Sequence, residues 1–185
     1  RVLLPRGIYL TGPIFLKSNI TFNLEKGSML IGVKTRDKYP IMPGVLESHD
    51  RRQIYYLGSW EGQHSDTFAS LINGIDIENV NITGEGIIDG NADFDTWWFD
   101  PKTKRVAWRP RVIFLKGCKN IRCEGIRIKN SPSWTIHPLR SQDLKFINID
   151  IHNPKDSPNT DGINPESCTN VLIARLIFCS LSTSK

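Results

Sequence analysis

The sequence is poor in alanine, has no long apolar run and shows no paired cysteine pattern, and each shortage excludes a class of protein. Alanine occurs only 4 times in 185 residues, whereas isoleucine occurs 23 times. Because alanine is the best helix former and β-branched side chains suit strands, this ratio predicts an all-β fold. No apolar run approaches the ~20 residues that cross a bilayer, which excludes an integral membrane protein. The 4 cysteines include no Cys-x-x-Cys pair, so a zinc site is not expected.

The chain also shows no starting methionine, no basic leader and no signal peptide, and it opens in what reads as the middle of a structured element. We therefore expect it to be cut from something longer. Its length and its 39% hydrophobic content predict one domain with a packed core. The net charge of +5 suits an anionic partner such as nucleic acid, an acidic polysaccharide or a membrane surface, although it is also ordinary for a soluble domain.

Short segments of alternating polarity recur along the chain. Five of them carry Asn or Asp in second place: Ser18-Asn-Ile-Thr-Phe22, Glu78-Asn-Val-Asn-Ile82, Lys119-Asn-Ile-Arg-Cys123, Gln142-Asp-Leu-Lys-Phe146 and Thr169-Asn-Val-Leu-Ile173. The last two gaps between them are 23 and 27 residues, and a gap of 41 residues fits either two turns or one turn with a long loop. Strands at this spacing, without helices between them, predict a parallel β-helix, in which each coil buries its apolar face against its neighbours.

An antiparallel β-sandwich is the competing architecture, since it too uses many short strands. It needs short hairpin turns, of which the sequence has few, so the coil spacing favours the β-helix. The recurring Asn or Asp agrees with that choice. Asn tolerates the left-handed backbone of a bend, and its amide can bond the Asn of the neighbouring coil.

Two polar and aromatic stretches, 33–67 and 91–110, interrupt the repeat. Long loops in a compact domain are often functional. Two interpretations stay open: their rings form stacking walls for sugars, or the rings pack on the coils. These rings are Tyr39, Tyr55, Tyr56, Trp60, Trp97, Trp98 and Trp108. A basic run over 101–116 is likewise either a wall for an acidic sugar or a solvated loop, and its cations are Lys102, Lys104, Arg105, Arg109, Arg111 and Lys116.

The segment Asn159-Thr160-Asp161-Gly162 lies between two repeats and joins an amide, a hydroxyl and a carboxylate. Asn, Asp and Gly are ordinary turn residues, so composition alone favours a turn over a catalytic site. One coil earlier lies His137, which we expect to face the same groove as Asp161. A lone histidine is nonetheless more often structural than functional.

Three further stretches combine with this segment into a family resemblance: 4–21 (LPRGIYLTGPIFLKSNIT), 80–90 (VNITGEGIIDG) and 130–138 (NSPSWTIHP). In this order they resemble glycoside hydrolase family 28, the polygalacturonases and related exo-acting pectin hydrolases. The resemblance implies that residues 1–185 form a single right-handed parallel β-helix. It implies hydrolysis of α-1,4-galacturonosyl bonds with inversion and an acidic polysaccharide as partner. It implies a secreted or periplasmic protein with no metal, organic cofactor, nucleic acid or membrane partner.

The same resemblance makes Asp161 the catalytic candidate, because the Asp of Asn-Thr-Asp is one of three acidic site residues in that family. The other two form an Asp-Asp pair about one coil later, which should fall at Ser182 and Thr183; neither is acidic. The tail 174–185 departs from the family. We therefore expect a truncated β-helix with weak or no activity. The alternative is a non-catalytic β-helix that binds acidic polysaccharide.

Three residues are the expected substrate ligands: Asn159, His137 and Arg111. Asn159 belongs to the motif, His137 is expected in the same groove, and Arg111 belongs to the basic run. A polysaccharide lyase on the same fold is a third possibility, but it requires a calcium site of clustered acids, which the sequence lacks.

Overall fold

Three parallel sheets make up nearly all of the regular structure. The computed structural model describes residues 1–47 and 54–181, and within those ranges its helical structure is one 3-10 turn, Arg36–Lys38. Sheet A contains, in spatial order, β1 (Val2–Leu4), β4 (Thr21–Leu24), β13 (Glu78–Gly84), β16 (Lys119–Glu124), β19 (Gln142–Ile147) and β21 (Thr169–Ala174). Sheet B contains β2 (Gly7–Thr11), β5 (Ser28–Gly32), β14 (Ile87–Asp89), β17 (Arg127–Lys129), β20 (Asp150–Pro154) and β22 (Ile177–Leu181). Sheet C contains β3 (Ile14–Phe15), β12 (Ile72–Ile75), β15 (Ile113–Lys116) and β18 (Ile136–Leu139).

The chain visits sheets C, A and B in turn and then starts the next coil. Thus β15, β16 and β17 form one coil, and each pairs in parallel with the corresponding strand of the next, β18, β19 and β20. This arrangement is a parallel β-helix, as the repeat predicted. The sandwich alternative is wrong, because the three main sheets are parallel throughout.

The direct pairing of β13 with β16 resolves the 41-residue gap in the repeat. One coil spans that gap, and its extra length lies in a loop at 90–112 between β14 and β15. A second long loop, 33–71, separates β5 from β12. Short antiparallel pairs occur within it: β6 (Ile41–Met42) with β11 (Thr67–Phe68), β7 (Leu46–Glu47) with β8 (Ile54–Tyr55), and β9 (Ser59–Trp60) with β10 (Gln63–His64).

Alternate residues of sheet A point inward and stack in register from coil to coil. One such column pairs Ile82 with Cys123 and Cys123 with Phe146, and all three side chains are fully buried. Cys118 is also buried in this core, and both cysteines pack there as small hydrophobic residues. Burial raises the pKa of the Cys123 thiol to about 12, so it stays protonated.

The recurring Asn or Asp occupies a left-handed bend at or just before the start of five sheet A strands, β4, β13, β16, β19 and β21. Its φ is 61° at Asn19, 57° at Asn79, 53° at Asn120, 57° at Asp143 and 52° at Asn170. The Asn79 amide donates to Asn19 Oδ1 at 3.0 Å, and the Asn120 amide donates to Asn79 Oδ1 at 2.8 Å. Further along, Asn170 donates to Asp143 Oδ1 at 2.6 Å. Both expectations for these residues, the bend and the bond between coils, are confirmed.

Asn120→Ala should lower the free energy of unfolding by about 1–2 kcal/mol, because alanine pays a steric penalty in the left-handed region that asparagine largely avoids. Asn120→Gly is the matched control, since glycine adopts this backbone freely but also loses the bond to Asn79. Urea denaturation of both variants measures the difference. Equal losses of stability would show that the hydrogen bond, and not the backbone conformation, is what asparagine supplies here.

The long loops fold back on the coils through a second aromatic core. Trp97 is fully buried, with ring centroids 5.2 Å from Tyr39 and 5.5 Å from Phe68. The Trp98 indole donates to the Ser131 carbonyl at 2.9 Å. Tyr39, Trp97 and Trp98 are therefore buried packing residues and not exposed sugar-stacking walls. Within the described ranges, no helix is long and apolar enough to cross a membrane.

The tail 174–185 departs from the family in sequence, but its first residues still continue the coil. Strand β22 pairs with β20, and Phe178 lies in register with the buried Ile151. A short run of mostly apolar, strand-forming residues, Ile177–Leu181, is enough to extend the sheet even where residue identities differ. Ser182 and Thr183 lie outside the described residues.

Candidate active site

The segment that carries Asn159 and Asp161 extends sheet C by one more coil. The Thr135 amide donates to the Asp161 carbonyl at 2.8 Å, and the Asn164 amide donates to the Ile136 carbonyl at 2.9 Å. Asp161 therefore lies one coil beyond Trp134 and Thr135, and the histidine of β18 precedes it by one coil as expected. Asn159 and Asp161 are both exposed and do not point into the core.

A buried asparagine holds this segment against β18. Asn153 is 7% exposed, and its Oδ1 accepts a bond from the Ser131 amide at 2.9 Å. Its amide donates to Thr135 Oγ1 and to the Thr160 carbonyl, each at 3.1 Å. The Ser157 and Thr160 hydroxyls are also bonded, at 2.6 Å. These bonds fix the backbone between Asn159 and Asp161, so both side chains are presented outward from a rigid support.

Arg109 fixes the side chain of Asn159. Its guanidinium is buried and donates to the carbonyls of Pro132 at 2.6 Å and Pro158 at 2.9 Å. A third bond, 2.6 Å long, goes to Asn159 Oδ1. Burial, with a smaller contribution from the charge of Arg36, lowers the pKa of Arg109 to about 10, so it remains a cation at neutral pH. Sequence reasoning counted Arg109 in a basic run that was either a wall or a solvated loop, and it missed this positioning role.

Arg111 is only 1% exposed, which does not fit the predicted contact with substrate. Its guanidinium lies 5.3 Å from the ring centroids of both Trp60 and Trp134 and 5.7 Å from that of Phe114. It donates to the Ser59 carbonyl. Burial lowers its pKa to about 9. The physical reason for the discrepancy is that the 33–71 loop covers this arginine, and cation–π contacts stabilise it there.

His137 is fully buried, so the predicted substrate contact does not fit this residue either. Its Nε2 lies 3.0 Å from Glu166 Oε2. Glu166 favours the charged imidazolium, but burial, together with the positive charge of Arg111, lowers the pKa of His137 to about 3. The neutral ring therefore donates through Nε2 to the Glu166 carboxylate. Glu166 was not a sequence candidate. It lies two residues after Asn164 and so on the same face of the extended strand, and this spacing could have pointed to it.

Three parallel tryptophan rings form a wall that joins sheet C to both long loops. The Trp60 and Trp108 centroids are 4.7 Å apart with an angle of 8° between the planes, and those of Trp60 and Trp134 are 6.1 Å apart at 4°. Trp60 is buried, while Trp108 and Trp134 are half-buried. Beside this wall, a cleft of about 330 Å³ is lined by Trp60, Glu61, Pro101, Lys102, Trp108 and Asn159.

The cations of the basic run divide into two groups, with Lys116 half-buried between them in exposure. Arg109 and Arg111 are buried, whereas Lys102, Lys104 and Arg105 are exposed. The run is therefore neither a continuous wall nor a wholly solvated loop. Among the residues that the structure describes, no group of three or more His, Cys, Asp or Glu side chains could hold a metal ion.

Comparison with known proteins gives consistent relatives. The family described as glycosyl hydrolases family 28 matches residues 26–179. A probable polygalacturonase of Vitis vinifera is 34% identical over 175 residues, which are 94% of this chain and 33% of that protein. An endo-polygalacturonase of Pectobacterium parmentieri is 27% identical over 177 residues, which are 90% of this chain and 41% of that protein.

Solved structures agree with this relationship. The crystal structure of a hyperthermoactive exopolygalacturonase from Thermotoga maritima matches with a TM-score of 0.78 at 29% identity, covering 96% of this chain and 44% of that one. The chain thus spans about a third to two fifths of the length of the curated relatives named above. Because the family match covers most of the sequence, the chain belongs to family 28 of the glycosyl hydrolases.

Proposed function

We propose that this protein acts on polygalacturonate, the acidic polysaccharide of pectin, and hydrolyses its α-1,4-galacturonosyl bonds with inversion. Asp161 is the proposed catalytic acid residue and Asn159 a proposed substrate ligand. One observation carries the proposal: in a family 28 chain, the Asn159-Thr160-Asp161 motif is exposed on a rigid edge of the coil. We also propose that the protein is secreted or periplasmic, where such a polymer is available.

Inverting hydrolysis requires two carboxyl groups. One protonates the leaving oxygen and the other deprotonates water, and they stand roughly 6.5–9.5 Å apart. Asp161 supplies one of them. Glu166 is not a good partner, because its carboxylate is bonded to the buried His137. The positions expected for the partner acids hold Ser182 and Thr183, whose hydroxyls cannot transfer protons at neutral pH as a tuned carboxyl can. We therefore infer slow hydrolysis by this chain.

A second candidate function is binding of acidic polysaccharide without catalysis. The same two hydroxyl residues favour it, since an exposed motif and exposed cations are sufficient to hold a polyanion. The two functions share the substrate and differ only in turnover. Asp161 is a proton-transfer group in the first and one contact among several in the second.

Incubation of the purified chain with polygalacturonate tests both proposals. We expect retention on immobilised polygalacturonate, no retention on a neutral galactan, and release of reducing ends at least about 10²-fold slower than by an active family 28 enzyme, because each missing acid–base group costs 10²–10⁴-fold. NMR of the first product anomer reports inversion. Turnover as fast as that of the active family 28 enzyme would show that other residues supply the acid and base. If the chain shows neither retention on polygalacturonate nor turnover of it, the proposed substrate is contradicted.

A further inference from the structure

The cleft beside the tryptophan wall has no part in the catalytic proposal, yet it adjoins Asn159. Its walls come from both long loops: Trp60 and Glu61 from one, and Pro101, Lys102 and Trp108 from the other. Asn159 closes it on the coil side. Because Asn159 and Asp161 are two residues apart, their Cα atoms are separated by at most ~7 Å. A ligand in the cleft is therefore a near neighbour of Asp161.

Lys102 is the cation available in this cleft. Among the described residues it has no hydrogen-bond or ion-pair partner, and its side chain is exposed. Of the arginines of the same run, Arg109 binds three protein oxygens, Arg111 is buried under rings, and Arg105 does not line the cleft. An unpaired ammonium beside aromatic walls is suited to a carboxylate ligand.

The cleft also carries groups that fit the uncharged parts of a sugar. The half-buried Trp108, backed by the parallel ring of Trp60, offers an indole surface for the apolar face of a pyranose. Asn159 Oδ1 is occupied by Arg109, which leaves the Asn159 amide hydrogens directed to other acceptors. The exposed Glu61 carboxylate is an acceptor for the hydroxyl groups that a sugar supplies.

We propose that this cleft is a subsite for one uronate unit, in which Lys102 binds the carboxylate, Trp108 stacks on the ring and the Asn159 amide donates to a ring substituent. The proposal rests on the proposed polygalacturonate substrate and adds the unit that occupies this position. It commits the subsite to an acidic sugar, because a neutral sugar would leave the ammonium unpaired.

Calorimetric titration with trigalacturonate and with its fully methyl-esterified form tests the subsite. Lys102→Met keeps the length of the side chain and removes its charge, and we expect it to weaken trigalacturonate binding about 10-fold, the equivalent of one charge-assisted hydrogen bond. Binding of the ester should change less than 2-fold. Lys104→Met, an exposed lysine of the same loop that does not line the cleft, is the matched control and should bind as the unsubstituted chain does.

The outcomes separate the two proposals. If the unsubstituted chain binds trigalacturonate and Lys102→Met binds it equally well, the subsite is overturned while the proposed substrate stands. Equal weakening by Lys104→Met would also overturn it, because the effect would then be one of general charge. If the unsubstituted chain binds neither oligomer at millimolar concentration, the proposed function fails together with the subsite.

Discussion

Asp161→Asn should abolish the slow release of reducing ends from polygalacturonate while leaving the fold intact. The amide cannot exchange a proton at neutral pH, and the loss of one acid–base group costs on the order of 10²–10⁴-fold in rate. Folding should be unaffected, because the Asp161 side chain is exposed and makes no hydrogen bond or ion pair within the described part of the chain. The bond from Thr135 uses the backbone carbonyl and survives the substitution. Reducing-end release and thermal denaturation measure the two effects.

The same variant gives a second readout in binding. Removing a negative charge beside a polyanion should tighten the binding of trigalacturonate several-fold, so turnover and affinity should move in opposite directions. Asp156→Asn is the control, an exposed carboxylate in the same loop and outside the motif. Unchanged turnover in Asp161→Asn would remove Asp161 from the catalytic assignment. Equal effects of the two variants would indicate general electrostatics instead of a site.

Gly84→Ala is expected to lower the free energy of unfolding by about 3 kcal/mol or more. Gly84 ends β13 with a φ of 119°, a conformation that side-chain-bearing residues rarely adopt. A β-carbon there would lie 1.9 Å from the Leu24 carbonyl oxygen of the adjacent coil. Because the obstacle is backbone and not a mobile side chain, the coils would have to separate. Urea denaturation with circular dichroism measures the loss.

Gly62→Ala is the control that measures the cost of the left-handed backbone without a steric clash. Gly62 has a φ of 78° in the turn between β9 and β10, and a β-carbon there would meet nothing within 4 Å. We expect this control to lose about 1–2 kcal/mol, the cost of the left-handed backbone alone. Similar losses for the two variants would mean that close stacking at Gly84 contributes little to the stability of the β-helix.

The β-helix and its bends were predictable because their signals are local. A bend needs a residue that tolerates the left-handed region, and Asn79 and Asn120 meet that need within five-residue segments. The surroundings of Arg111 were not predictable in this way. A basic run reads as solvated, and nothing in it shows that Trp60, some 50 residues earlier, folds over the guanidinium.

In the candidate site, too, the features with local sequence signals were predictable and those that depend on distant residues were not. The exposure of Asp161 follows from a motif at the edge of a coil, and sequence reasoning reached it. The burial of His137 depends on neighbours from other coils and loops, among them Glu166 and Phe114. The histidine lies one coil before the motif, but whether its side chain meets a groove depends on what covers it, which the sequence does not show.

The unequal spacing of the coils has a consequence for the order in which they assemble. Pairing β13 with β4 joins residues 60 apart, whereas pairing β19 with β16 joins residues 23 apart. Loop-closure entropy makes the longer connection costlier by about 0.8 kcal/mol. Strands β16 and β19 therefore pair more easily than β4 and β13, and so do β1 and β4, whose paired residues are 20 apart. In kinetic terms, the long loop that supplies Trp60 to the site makes the junction between β4 and β13 the later one to form.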